Sequence, residues 1–152
     1  MSVLAFFITT LIGLVNDSPE QIALDYFASQ IMGKNYDSSP IYFSGQTETE
    51  KNIAGPFARC FESDPDFSQF YYRQKKSVAD KLNIESSDFP IFKKSSKTRS
   101  RALNLKIYRV VTNGDDKYVY IQVFKEKHFV HHYLFRISSN NVVDVCNVNE
   151  II

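Results

Sequence analysis

From Leu103 to the C-terminus the apolar residues recur at every second position, and this two-residue period constrains the fold more than any other feature of the chain. Four alternating runs are visible, at residues 104–112, 117–125, 128–137 and 142–149. They are joined at Asn113-Gly114-Asp115-Asp116, at Glu126-Lys127 and at Ser138-Ser139-Asn140-Asn141. Connections this short permit only antiparallel neighbours, so the last third of the chain predicts a four-stranded meander.

The residues before it follow helical spacing. Ser18-Pro19-Glu20-Gln21 predicts a helix start, with Ser18 as the cap, Pro19 in the first turn and Gln21 closing a capping box. The helix is expected to run to Met32, stop at Gly33 and bury Ile22, Ala23, Tyr26, Phe27 and Ile31. Residues 40–44 read as a short strand, and Thr47 or Glu50 can cap a turn of helix. Further helical pieces are expected over 56–61 and from Asp64-Pro65-Asp66 to near Asn83, with residues 88–100 irregular. The expected class is α+β: N-terminal helices packed on a curved antiparallel β-sheet whose last four strands form the meander, in a single domain over residues 17–152.

With 43% hydrophobic and 23% charged residues among 152, the chain can bury one core and is not a disordered polymer. Its net charge of +1 hides an uneven distribution, because residues 67–106 carry 10 basic and 3 acidic side chains. The densest run, KKSSKTRSR over 93–101, has no aromatic residue within it, which argues against nucleic acid as the partner. It reads as a solvated loop or a contact for something anionic.

The stretch VLAFFITTLIGLV over residues 3–15 is uncharged and too short to span a bilayer comfortably, but it suits the apolar region of a secretory signal. Residues 1–16 are therefore read as a signal peptide or an apolar N-terminal segment, and the domain as exported, periplasmic or secreted. A packing element or a membrane anchor are the other readings, since no Lys or Arg precedes the run and no small-x-small cleavage site follows it. Cys60 and Cys146 stand 86 positions apart with no spacing signal and are read as free, buried thiols.

All three histidines fall in KHFVHHYLF, residues 127–135. On a strand His128 and His132 share a face but lie ~13 Å apart, while His131 points the other way, so no metal site is expected here. No cofactor is implied either. Registering the strands by their turns places Gln122 opposite His131, Tyr133 opposite Cys146 and Phe135 opposite Asp144. One face is then nearly all aliphatic, while the other gathers Tyr118, Tyr120, Gln122, His131, Tyr133, Phe135 and Asp144, the aromatic-and-polar mixture of a ligand cavity. Such a face is more often a packing or homodimer surface than a catalytic pocket.

The order helix, short strand, helical pieces and long meander ending in VVDVCNVNEII resembles the nuclear transport factor 2-like and cystatin-like folds. The resemblance is one of layout over roughly residues 18–152, without a diagnostic motif, and the basic insertion at 93–101 departs from it. It implies a curved sheet wrapped on a helix, often with a cone-shaped cavity, and no particular activity. Two function classes follow. The first is a non-catalytic exported domain that binds a small molecule or a protein partner through the aromatic face. The second is a small cofactor-free isomerase- or dehydratase-like enzyme with Asp144 or His131 as base and Tyr120 or Tyr133 as donor to an oxyanion. A membrane-tethered interaction domain is the third possibility if residues 3–15 stay attached. If they are a signal, mass spectrometry of the protein from its native cell will find a chain beginning near Asn16–Ser18 outside the cytoplasm. An intact N-terminus in the cytoplasm overturns export.

Overall fold

The computed structural model describes residues 17–36, 39–49, 60, 80–85, 89 and 91–152. One helix packs against a seven-stranded mixed sheet, which is the α+β class. The N-terminal apolar run and the helical pieces expected between residues 50 and 79 lie outside the described residues.

Helix α1 (Pro19–Tyr26) starts where its sequence dictates. Ser18 is extended, and its hydroxyl accepts a hydrogen bond from the Gln21 N–H at 3.1 Å. Gln21 does not close a capping box; its amide donates to the Glu85 carbonyl and accepts from the Glu85 N–H, both at 2.9 Å, lacing the helix to residues 80–85. The helix continues as a π-helical segment, Phe27–Met32, and ends in the turn Gly33–Asn35, so Gly33 does not stop it. The i→i+5 spacing of the π segment moves the buried position to Met32, five residues after Phe27, and leaves Ile31 half-buried. Ala23, Leu24 and Phe27 are fully buried, and burial of each of the two larger side chains stabilises by about 1.5–3 kcal/mol.

The sheet contains β1 (Ile41–Phe43), β2 (Phe92–Lys94), β3 (Leu103–Ile107), β4 (Val111–Asn113), β5 (Asp116–Lys125), β6 (Phe129–Ser138) and β7 (Asn141–Ile151), in the order β2-β1-β3-β5-β6-β7 with β4 also on β5. It is not antiparallel throughout, because β1 lies between β2 and β3 and runs parallel to both. The basic run is therefore not a free loop: Phe92–Lys94 is an edge strand, and residues 95–102 carry the chain past β1 to β3. Parallel neighbours usually need a longer, helical connection, so the sequence offered no sign of this one.

The expected strand 104–112 is broken in two, and the break is where the helix docks. Glu20 is 1% exposed, and one of its carboxylate oxygens accepts from Arg109 Nη1 at 2.8 Å and from the Val110 N–H at 2.9 Å. The backbone beside it is also diverted, since Glu48 N–H donates to the Ile107 carbonyl and Arg109 N–H to the Glu48 carbonyl. Thr47 caps no helix; it is buried, and its hydroxyl accepts from the Leu82 N–H. Residues 80–85 are not helical, and Asn83 forms a bridge with Gln46.

Two local irregularities set the register of the last three strands. The β5–β6 connection has three residues, Glu126 to His128, with Lys127 at φ 60°, not two. Gln122 therefore pairs with His132 instead of His131. Between β6 and β7, the two-residue turn Ser139-Asn140 pairs Ile137 with Val142, but a bulge then opposes Arg136 to Asp144. The expected pairs Tyr133–Cys146 and Phe135–Asp144 each slip by one, to Tyr133–Asn147 and Phe135–Val145.

Replacing Glu20 by Ala leaves the Arg109 guanidinium half-sequestered against the helix and removes the acceptor of the Val110 N–H. Urea denaturation should show a loss of about 3–5 kcal/mol, against well under 1 kcal/mol for removal of the exposed partner in the Lys81–Glu48 surface pair.

Candidate functional site

A one-residue slip inverts every side chain of a strand, and β6 shows the result. Tyr118, Tyr120 and Gln122 do share a face with Cys146 and Asp144, because the two slips cancel across β6. His131, Tyr133 and Phe135 point the other way, under the helix. The single aromatic face expected from the sequence is thus two half-faces, back to back. Asp144 is exposed and faces away from His131, so the two cannot act on one substrate.

Away from the helix, Tyr120 and Leu134 pack with Tyr108, Tyr118 and Cys60. The Tyr108 and Tyr120 rings stack 4.7 Å apart, and the Tyr120 hydroxyl lies 2.6 Å from Nδ1 of the buried His132. On its other side His132 Nε2 is 3.2 Å from the exposed Glu150 carboxylate. Gln122 accepts from the Tyr108 hydroxyl, which burial and then the Glu48 charge push up to about 12. Burial also raises the Tyr120 hydroxyl, so both phenols stay neutral. The cysteines are not free: Cys60 and Cys146 form a disulfide with Cα atoms 5.8 Å apart. Spacing in sequence carries no information about that distance.

Under the helix a different arrangement forms around Tyr36, a residue that sequence reasoning did not single out. Its hydroxyl lies 2.7 Å from His131 Nδ1 and 2.8 Å from the Tyr133 hydroxyl, and Asn35 Nδ2 donates to the Tyr133 oxygen at 3.3 Å. Asn35 donates through that nitrogen, and each phenol can both donate and accept, so the groups form one continuous hydrogen-bonded chain that ends at His131 Nδ1. Burial, and secondarily the neighbouring His132, hold the His131 pKa below the ordinary 6.5, which favours the neutral ring. Burial and the Tyr133 hydrogen bond raise the Tyr36 hydroxyl well above the phenol range.

Two grooves flank this chain of hydroxyls and share Asn35. One, of about 300 Å³, lies between Tyr26, Ile31 and Lys34 of the helix and Tyr133 and Val145 of the sheet. The other, of about 430 Å³, opens beyond the helix end against Tyr36, Tyr42 and Phe129. Among the described residues no group of three or more His, Cys, Asp or Glu side chains is placed to hold a metal.

No family model, curated protein or solved structure matches the chain. The chemistry of the site therefore rests on its own geometry. That geometry offers donors, acceptors and ring faces.

His131 gives a pH test. Above pH 6.5 both folded and unfolded chains carry it neutral; as pH falls through 6.5 the unfolded chain takes up the proton first. Its contribution therefore lowers stability as pH drops, and levels off below the folded pKa. Tyr36→Phe removes the hydroxyl hydrogen-bonded to both His131 Nδ1 and Tyr133, and urea denaturation should find a stability loss of about 1–3 kcal/mol.

Proposed function

We propose that the chain is a non-catalytic exported domain, of nuclear transport factor 2-like or cystatin-like layout, that binds a small molecule or protein partner where the helix ends over β6. The observation that carries this reading is the Asn35–Tyr133–Tyr36–His131 hydrogen-bond chain, set between two grooves. The Tyr133 ring borders one groove, the Tyr36 ring the other and the exposed Asn35 amide both, an aromatic lining with a few polar groups, which is the usual composition of a binding site.

The disulfide supports the exported part of the reading. Structural disulfides persist in oxidising compartments and are rare where glutathione keeps thiols reduced. The π-helical segment supports the placement of the site, since such segments recur beside functional residues and this one leads directly into Asn35 and Tyr36.

A ¹⁵N-labelled sample titrated with a set of neutral, anionic and cationic ring compounds and short peptides tests it. At least one should shift the amides of Asn35, Tyr36, Phe129 and Tyr133 together in a saturable way. A set that shifts none of them refutes the groove as a binding site.

A further inference from the structure

Among the described residues, the charged side chains that line the groove beyond the helix end are both cations. Its described lining includes the cations Arg101 and Lys125 and no carboxylate, and its walls include the rings of Tyr36, Tyr42 and Phe129. At about 430 Å³ it is within the range of small-molecule sites, roughly 300–1,000 Å³.

Both sides of this groove are fixed before anything binds. On the cationic side, Asn104 is 4% exposed, and its side chain accepts from the Arg99 N–H and donates to the Arg99 and Ala102 carbonyls, each at 2.8 Å. Those three bonds pin the backbone on either side of Arg101. The Arg99 guanidinium lies over the Tyr42 ring, 4.6 Å from its centre, and so is already engaged, whereas Arg101 sits exposed at the groove. On the ring side, Tyr36 is tied through its hydroxyl to His131 and Tyr133, and Phe129 stacks on His131 with ring centres 4.5 Å apart. A pre-ordered pair of walls spares a ligand the cost of ordering them.

We propose that this groove selects a small molecule with a flat apolar body and a single anionic head group, the body against Phe129 and the tyrosine rings and the head on Arg101 and Lys125. The proposal rests on the binding reading above and adds the sign of the ligand's charge. It also gives the basic segment a role, since the pinned crossover after β2 is what delivers Arg101 to the rim.

The test uses 2-naphthoate, the neutral 2-naphthalenemethanol and the cationic 2-naphthylmethylammonium, with affinities from titration calorimetry on the intact protein. The expected order is anion, then neutral, then cation, with naphthoate favoured over the alcohol by roughly tenfold or more at low salt. Arg101→Ala, at an exposed position, and Lys125→Ala, at a half-buried one, should each weaken naphthoate while leaving the alcohol unchanged. Equal affinity for naphthoate and the alcohol, or no effect of either substitution, overturns charge selection and leaves the groove reading standing. No binding of any of the three overturns this proposal, while the wider compound set decides the groove reading separately.

Discussion

Strand β6 is buried on both sides, and everything else about the two clusters follows from which of its residues face which way. Tyr133, Phe135 and Ile137 meet Ala23, Leu24 and Phe27 under the helix, while His132 and Leu134 meet Tyr120 and Tyr108 on the opposite surface. Because side chains alternate, a single-residue slip would drive a histidine into the aliphatic layer and lift two rings out of it. The register is held by backbone at the strand ends: Lys127, Ser139 and Asn140 all adopt positive φ, and a bulge follows at Arg136/Ile137. Asparagine tolerates that conformation better than lysine or serine, so each turn holds one residue, Lys127 or Ser139, in a backbone region it disfavours. The same alternation gives two adjacent histidines unrelated surroundings. His131 is hydrogen-bonded to a tyrosine beneath the helix, and His132 lies between a buried phenol and a surface carboxylate.

The helix is fastened to this sheet by polar contacts at both ends and by apolar contact between them. At its start Glu20 grips Arg109 and the Val110 N–H; at its finish Asn35 and Tyr36 join Tyr133 and His131. Apolar burial alone is non-directional and would allow a helix to slide or rotate. Hydrogen bonds at its two ends set its position along the sheet, and they require the strand break at Arg109 that sequence alternation conceals. The groove at the finish thus depends on where the start is anchored.

How much of this was legible varies with the physics involved. The cap at Ser18, the two-residue period and the turn positions are local, and the helix start and the strands β5, β6 and β7 were readable from them. Register is local too, yet it depends on one extra turn residue and one bulge, each below what periodicity resolves. That is why Tyr118, Tyr120, Gln122 and Asp144 were grouped correctly with one another but wrongly with His131, Tyr133 and Phe135. Tyr36, Glu20 and the cysteine pair depend on contacts across 95, 89 and 86 positions respectively, and no spacing rule reaches that far. The parallel pairing of β1 was hidden because the crossover from β2 to β3, residues 95–102, carries serines and basic residues in place of a helix.

The disulfide joins Cys146, in the middle of the last and outermost strand, back to Cys60. An edge strand can be exchanged with a second copy of the chain at low cost, since only one ladder must open. Here β7 cannot leave its own molecule without carrying Cys60 along. Oxidation therefore ties β7 to its own molecule, and strand exchange between two copies is confined to the interval before the bridge forms.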